Sequence, residues 1–308
     1  MRPIRKFFPK PWRDFLLGLA AKTGFALGRV IPRGIGLALF SFLGTLCYYI
    51  LSSDRKTTVK NLRFVFGQEW SEKKIRITAK AVFGMLGKNL FDAVNLNTMS
   101  GEKFYGTVSH DSLDCVDAAK ARGKGIVFIT AHVGCFEMLL PFFARKGFDC
   151  IAVGRPFKNQ ALDGVVRRMR NGPGMIYMDR SENSRKLVRT LRQGNIMGVL
   201  IDQDTKVDGV FADFLGHAAF TPSGAVRFAM KFDIPILIAV TARLKGDRHH
   251  VFVNPEIARA DTGDFDADLV RSVQSINDII SSYIRRFPEQ WVWMHERWNT
   301  RPEAVGKR

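Results

Sequence analysis

The stretch GIVFITAHVGCFE, residues 125–137, decides the fold expected for this chain. Residues 125–131 are uncharged and rich in β-branched side chains, which is typical of a buried strand. His132 follows this run, and after a short turn at residues 133–134 an apolar helical pattern covers residues 135–145. Because sites in α/β proteins are built at the carboxyl ends of strands, His132 is a candidate site residue.

Glu137 follows His132 by five residues. On one continuous helix this spacing would place the two side chains about 140° apart around the axis. They could meet only if His132 lies in the turn before the helix and Glu137 lies in its first turns. That arrangement would put a carboxylate beside a base that works near neutral pH. The spacing alone also fits a core histidine with a surface glutamate.

Short apolar segments alternate with helical ones beyond residue 98, which predicts the α/β class with a single sheet flanked by helices. Before the sheet, Ser71 is the expected N-cap of a helix over residues 71–95, and a long amphipathic helix over residues 269–287 ends at Pro288. One of the intervening helices is expected to begin with Thr221 as N-cap and Pro222 at its first position. The predicted strands cover residues 104–108, 125–130, 150–153, 175–178, 196–201, 235–241 and 250–254.

The charge balance is strongly basic, with 47 Lys and Arg against 29 Asp and Glu and a net charge of +18. Such a surface implies a polyanionic partner, which could be nucleic acid, an anionic membrane or an acidic protein. An ordinary solvated surface is the alternative for any single basic patch. The four cysteines contain no Cys-x-x-Cys pair, so we expect neither a disulfide framework nor a zinc site, and their scatter fits a reducing compartment.

The amino-terminal region is apolar and predicts a retained membrane anchor. Residues 34–53 carry no charge, and the segment reaches the roughly 20 residues that span a hydrocarbon core. Basic residues flank the segment on both sides, so a span, a hairpin and an in-plane helix all remain open. We divide the chain into an N-terminal membrane-anchoring helical region, residues 1–60, and a catalytic domain, residues 61–308.

Several common catalytic motifs are missing from the sequence, including the phosphate loop, the dinucleotide-binding glycine pattern, His-Glu-x-x-His and Gly-x-Ser-x-Gly. A base beside a carboxylate on a basic, membrane-associated protein remains. Such a histidine can deprotonate a hydroxyl, and the resulting alkoxide can attack an acyl carbonyl. Arg155, Arg168 and Arg180 could clamp a phosphate of a lipid head group or of a carrier's pantetheine, or could pair with nearby aspartates.

Taken together, these segments resemble the bacterial lipid A biosynthesis lauroyl/myristoyl acyltransferases, within the glycerolipid acyltransferase superfamily. His132 to Glu137 is similar to the superfamily's His-x-x-x-x-acid motif, and residues 174–180 resemble its second block. The third and fourth blocks and the closing aromatic run also have counterparts, so the resemblance covers nearly the whole chain. These counterparts are Asp202-Gln203-Asp204 with residues 214–216 and 221–222, residues 233–236, and residues 288–298.

The resemblance implies a glycerolipid-acyltransferase-like fold in which His132 is the general base and Glu137 is its partner. The acyl donor would be acyl carrier protein or acyl-CoA, and no metal, cofactor or prosthetic group would take part. The acidic carrier and anionic lipid would both suit the basic surface. The candidate substrate-binding residues are Gly134, Arg155, Lys158, Asn159, Arg168, Arg180, Asp202, Asp204 and Thr221.

We therefore expect a membrane-associated acyltransferase that acylates a hydroxyl of a lipid A precursor. It would lie on the inner (cytoplasmic) membrane with its catalytic domain on the cytoplasmic face. The rivals within the superfamily are a phosphatidylinositol mannoside acyltransferase and a lysophospholipid acyltransferase. A basic membrane-surface binding protein without catalysis is the rival of another class. Nucleic acid is not an expected partner, because no nucleic-acid-binding module is recognised.

Overall fold

The computed structural model describes residues 30–96, 99–154, 156, 159–179 and 184–301. The helices are α1 (Arg33–Ile50), α2 (Ser52–Phe66), α3 (Glu72–Leu96), α4 (Gly101–Thr107), α5 (Asp114–Ala121), α6 (Leu139–Arg145), α7 (Gln160–Arg170), α8 (Ser184–Leu191), α9 (Gly224–Lys231) and α10 (Phe265–Arg286). The strands are β1 (Val108–His110), β2 (Ile126–Thr130), β3 (Cys150–Gly154), β4 (Met175–Asp179), β5 (Ile196–Leu200), β6 (Gly209–Phe214), β7 (His217–Pro222), β8 (Ile236–Arg243) and β9 (His249–Asn254). Short 3-10 helices cover Phe136–Met138, Lys245–Asp247 and Pro288–Gln290.

Seven strands form one mainly parallel sheet in the order β1-β9-β8-β2-β5-β3-β4. The five strands from β8 to β4 are mutually parallel, whereas β9 runs antiparallel to β8 and β1 runs parallel to β9. Helices cover both faces of the sheet, so the predicted α/β class with a single flanked sheet is confirmed. Strand β2 lies at the centre, between β8 and β5. Because β2 and β5 are parallel neighbours, the residues that follow them lie together at the carboxyl edge of the sheet.

The side chains of β2 alternate between two hydrophobic clusters, as a strand buried on both faces requires. Val127 and Ile129 belong to the cluster that includes α10. Ile126 and Phe128 pack into the opposite cluster with Phe142 of α6, and all five strand residues are buried. A strand held in this way gives the chain that follows it a fixed direction.

Two local predictions are wrong, and one pair of strands was not predicted. A strand was expected over residues 104–108. Residues 101–107 instead form α4, and only Val108–His110 pairs as β1. The hairpin of β6 and β7 was not predicted, and it forms a second, two-stranded sheet. Thr221 and Pro222 end β7 rather than begin a helix, and α9 follows with Ser223 at its N-cap position.

Two predicted helices are confirmed, and both have a side-chain cap; the cap at Ser71 was predicted, whereas the one at Asp264 was not. Helix α3 follows Ser71, whose hydroxyl accepts a hydrogen bond from the Lys74 amide at 3.3 Å. Helix α10 begins after Asp264, whose carboxylate accepts from the amides of Asp266 and Ala267. A side-chain oxygen that satisfies the first free amides of a helix fixes where the helix starts.

Helix α1 is long and apolar enough to cross a membrane, by length and composition. It packs along α3, with Phe40 against Phe91 and Tyr48 against Phe83 at ring-centroid distances of 5.2 and 5.5 Å. Its other face exposes large apolar side chains, which is consistent with membrane anchoring. The division at residue 60 stays a prediction. The exposed apolar residues of α1 are Ile35, Leu39, Phe42, Leu43, Leu46, Tyr49 and Ile50.

Candidate active site

A tight turn after β2 aims His132 at the carboxyl edge of the sheet. The Val133 amide donates to the Ala131 carbonyl at 2.7 Å, and the Gly134 amide donates to the Gln290 carbonyl at 2.9 Å. Gly134 has a φ of +58°, and a Cβ atom there would lie 2.2 Å from the Thr241 carbonyl oxygen. Only glycine fits both the left-handed conformation and this close approach of backbones. The structure thus gives Gly134 a backbone role in setting the turn.

The His132 ring is held by a carboxylate from the neighbouring strand. Nδ1 of His132 lies 2.8 Å from Oδ1 of Asp202, and the His132 amide donates to Oδ2 of the same carboxylate at 2.8 Å. The Trp291 indole N–H donates to Oδ2 at 2.7 Å. Thr130 pairs with Leu200 in the parallel register of β2 and β5, so positions 132 and 202 follow side by side.

Asp202 is fully buried and remains ionised. Burial by itself raises the pKa of this carboxyl, but the attraction of His132 and the hydrogen bonds from His132 and Trp291 lower the pKa to about 2. A carboxylate only accepts hydrogen bonds, so Nδ1 of His132 carries the proton of this bond. In the neutral ring, Nε2 then presents its lone pair. The His132 side chain is 22% exposed, so the ring is not sealed inside the protein.

Glu137 makes a different contact from the one expected from its spacing. It lies in the 3-10 turn before α6, and its carboxylate forms a bidentate ion pair with Arg170 at the end of α7, with distances of 2.5 and 3.1 Å. Burial lowers the pKa of Arg170, but Glu137 outweighs it and leaves the pKa above its usual value. Asp202, rather than Glu137, therefore holds the His132 ring.

The other candidate residues are distributed around this centre. Asp204 accepts from the amide and hydroxyl of Thr300 at 2.6 and 2.9 Å. The buried Thr221 hydroxyl accepts from Arg297 at 2.6 Å and from the Asn277 side-chain amide at 3.1 Å. Arg168 is exposed on α7. Asn159 precedes that helix, and its backbone carbonyl accepts a hydrogen bond from the Asp163 amide. Arg155, Lys158 and Arg180 lie outside the described residues.

Sequence reasoning missed Arg170 and the contact made by Trp291. Arg170 ends a basic helical run whose other arginines offer the same local pattern, so no signal singled it out. Trp291 lies 89 positions from its partner, and its aromatic neighbours indicated packing or lipid contact rather than a hydrogen bond to a carboxylate. Across the described ranges, no group of three or more His, Cys, Asp or Glu is arranged to hold a metal ion.

A family model described as bacterial lipid A biosynthesis acyltransferase matches residues 8–300. The lipid A biosynthesis palmitoleoyltransferase of Escherichia coli is 25% identical over 303 residues, covering 94% of this chain and 95% of that protein. The E. coli lipid A biosynthesis lauroyltransferase is 23% identical over 272 residues, covering 86% of each chain. The lipid A biosynthesis acyltransferase of Haemophilus influenzae is 22% identical over 265 residues, covering 85% of this chain and 81% of that protein.

The family match spans the turn after β2, both partners of Asp202 and the apolar helix α1. It therefore includes the whole constellation that the sheet edge assembles, together with the segment that suits a membrane. The chain belongs to the bacterial lipid A biosynthesis acyltransferase family, and it is an acyltransferase of lipid A biosynthesis.

Proposed function

We propose that this acyltransferase moves a fatty acyl chain from acyl carrier protein, or from acyl-CoA, to a hydroxyl of a lipid A precursor. The acceptor hydroxyl is that of an acyl chain already present on the precursor. The observation that carries the proposal is the 2.8 Å bond between His132 Nδ1 and Asp202, which leaves Nε2 as a base.

In the proposed reaction, Nε2 of His132 removes the proton of the acceptor hydroxyl as its oxygen attacks the thioester carbonyl carbon. Asp202 stabilises the imidazolium that forms. The tetrahedral intermediate collapses, the carbon–sulfur bond breaks, and the imidazolium returns the proton to the departing thiolate. The products are the acylated precursor and a free carrier thiol, and the protein ends in its starting state.

Glu137 enters the proposal through Arg170. The ion pair ties the turn after β2 to the end of α7, and both side chains line a cleft next to that turn. We propose that Glu137 fixes the Arg170 guanidinium beside the reacting group, so that a positive charge is near the oxygen on which negative charge develops. Glu137 is thus retained as a residue of the active site, while Asp202 takes the role of partner to His132.

We propose that a group of basic residues binds phosphate. Arg168 is exposed on α7, and guanidinium groups match phosphate oxygens in a fork geometry. We assign the same role to Arg155, Lys158 and Arg180, and we retain Asn159, Asp204 and Thr221 as residues that shape the acceptor site. The net charge of +18 suits both an acidic carrier protein and an anionic lipid surface.

We propose that the enzyme is anchored to the inner membrane with its catalytic domain on the cytoplasmic face. The exposed apolar side of α1 supports attachment to a membrane. All four cysteines are free, and Cys135 and Cys150 are buried, which fits a reducing compartment.

The proposal is tested with purified wild-type enzyme and His132→Ala in detergent, using lauroyl acyl carrier protein and lauroyl-CoA in parallel. A tetraacylated lipid A precursor, a phosphatidylinositol mannoside and a lysophospholipid are offered as acceptors, and products are read by mass spectrometry. We expect the lipid A precursor to be acylated and His132→Ala to lose at least 1,000-fold in kcat. Undiminished transfer by the variant would contradict the assignment of the base, and preferred acylation of another acceptor would contradict the proposed substrate.

A further inference from the structure

A cleft opens directly beside the turn that carries His132. It lies between α6 and the carboxyl ends of β2, β5 and β3. Phe136 connects it to His132, because Phe136 lines the cleft and its ring lies 4.8 Å from the His132 ring, centroid to centroid. Its walls are formed by apolar side chains and by the Glu137–Arg170 pair. The residues that matter here are Thr130, Phe136, Leu140, Ala152, Gly198 and Leu200.

Strand β5 carries a glycine at its centre, where it lines this cleft. Gly198 is in register with Phe128 on one side and Ala152 on the other. A Cβ atom at Gly198 would lie 2.9 Å from Cδ2 of Leu140, which reaches down from α6. The glycine thus lets Leu140 of α6 pack close to the sheet, and any side chain at this position would displace Leu140 into the cleft.

Thr130 is an unexplained polar group in this cleft. It is 5% exposed, and its hydroxyl makes no hydrogen bond to any residue that the structure describes. Other buried threonine hydroxyls are bonded, such as Thr241 to the Val133 carbonyl at 3.2 Å and Thr58 to the Asp54 carbonyl at 2.8 Å. Buried polar groups are nearly always paired, so an unpaired one beside a reacting centre points to a partner that arrives with the substrate.

Thr130 and His132 both lie beside the cleft. Ile129, Ala131 and Val133 all pack into the cluster on one face of the sheet. Thr130, which alternates with Ile129 and Ala131, therefore projects to the other face, where the cleft lies. His132 lies in the turn that follows, and its ring contacts Phe136 of the cleft wall. One small functional group can thus lie near both side chains.

We propose that Thr130 is a substrate-contacting residue whose hydroxyl donates a hydrogen bond to the carbonyl oxygen of the acyl donor, while the adjoining methylene groups enter the apolar cleft. The inference rests on the proposed acyl transfer and adds one residue to it. An uncharged donor next to largely apolar walls matches an acyl group, which offers one acceptor oxygen and a hydrocarbon chain. The bond strengthens as negative charge builds on that oxygen, so the hydroxyl acts on the rate as well as on binding.

The test compares Thr130→Val with Thr130→Ser, using lauroyl-CoA and a saturating lipid A precursor. Valine keeps the shape and removes only the hydroxyl, whereas serine keeps the hydroxyl. We expect Thr130→Val to lower kcat/KM at least tenfold and Thr130→Ser to stay within threefold of the wild type. Thr58→Val, which removes a buried hydroxyl on α2, is the control and should keep wild-type kinetics.

A thioether analogue, dodecyl-CoA, separates a carbonyl contact from a packing effect because it lacks the carbonyl oxygen. Its inhibition constant should change by less than twofold in Thr130→Val. If Thr130→Val lost thioether affinity by the same factor as kcat/KM, the inference would be overturned. It would also be overturned if Thr130→Val kept the kcat/KM of the wild type. A lower unfolding midpoint for Thr130→Val would also overturn it, since the hydroxyl would then be bonded within the protein. In each of these cases, loss of activity in His132→Ala would leave the proposed function standing.

Discussion

The carboxylate of Asp202 accepts three hydrogen bonds, and two of them come from His132, through Nδ1 and through the backbone amide. The same group thus orients the imidazole and fixes the backbone from which it projects. If β2 and β5 slid along each other, both hydrogen bonds from His132 to Asp202 would break. The geometry of the base is therefore tied to the register of β2 and β5, in which Thr130 lies opposite Leu200.

Asp202→Asn should lower kcat by about 1,000- to 10,000-fold with little change in KM. An asparagine side-chain nitrogen would donate toward Nδ1 and favour the tautomer whose Nε2 carries the proton and cannot act as a base. The measurement is steady-state transfer from lauroyl acyl carrier protein. Asp266→Asn, at an exposed ion pair with Arg227, is the matched control and should retain full activity. A loss of less than tenfold for Asp202→Asn would contradict the orienting role.

The same variant should also change the acid stability of the protein. Its contacts in the folded state lower the pKa of Asp202 to about 2 from the 3.8 of a free aspartate side chain, so the folded state favours the ionised form. Its contribution, about 2 kcal/mol, is complete above pH 3.8 and is lost as the pH falls toward 2. In urea unfolding, the difference between wild type and Asp202→Asn should therefore narrow from pH 5 to pH 3. A difference that stays constant over this range would contradict the depressed pKa.

Local patterns predicted β2, the turn after it and the position of His132, because a run of uncharged β-branched residues and a following helical period leave few alternatives. They also identified Asp202 as a residue that follows a strand. The two residues meet only because β2 and β5, which are 70 positions apart, are neighbours in the sheet. Neither segment carries a local pattern that predicts this pairing. The resemblance to the family implied Glu137 as the partner of His132, whereas in the structure the distant Asp202 contacts the ring.

The hairpin of β6 and β7 shows a different limit. Leu215 and Gly216 both have positive φ values, 58° and 88°, as a two-residue hairpin turn requires. A leucine in that conformation is uncommon, so its sequence gave little indication of a hairpin. Thr221 and Pro222 form a good helix start in isolation. Pairing of β7 with β6, together with the bonds from Arg297 and Asn277 to Thr221, outweighs that preference.

The Glu137–Arg170 ion pair should contribute measurably to the stability of the site, because both side chains are partly buried and the contact is bidentate. In a double-mutant cycle of Glu137→Gln and Arg170→Gln, we expect a coupling of about 1–3 kcal/mol in the free energy of unfolding. The exposed Arg227–Asp266 pair should give about 0.5 kcal/mol or less in the same assay. Additive effects at residues 137 and 170 would show that the pair does not hold the turn to α7.

Gly198→Ala should shift the preferred acyl chain to shorter lengths. The new methyl group would lie 2.9 Å from Cδ2 of Leu140, so the leucine must move and reduce the space in the cleft. One methylene in an apolar pocket changes selectivity by about 10- to 200-fold. Competing donors of 10 to 16 carbons, quantified by mass spectrometry, would reveal the shift. Gly101→Ala, which meets no atom within 4 Å, is the control. An unchanged chain-length profile would exclude the cleft as the acyl site.

A buried charge cluster beside α1 should make stability depend on pH. Nε2 of His249 lies 2.8 Å from Asp92, which also binds Arg33 at the start of α1 and Arg243 on β8. Burial lowers the pKa of His249, and the nearby arginines add to this effect while Asp92 opposes it. Below pH 6.5 the unfolded chain therefore takes up a proton that the folded protein excludes.

The free energy of unfolding should thus fall by about 1.4 kcal/mol per pH unit as the pH drops below 6.5. His249→Gln keeps a donor for Asp92 but cannot titrate, so this part of the slope should vanish in the variant. Urea unfolding at pH 7.5, 6.5 and 5.5 measures both slopes, and subtraction removes the contribution of His295, whose pKa burial also lowers. Parallel curves for the two proteins would mean that His249 is protonated in the folded state, with Asp92 stabilising its charge.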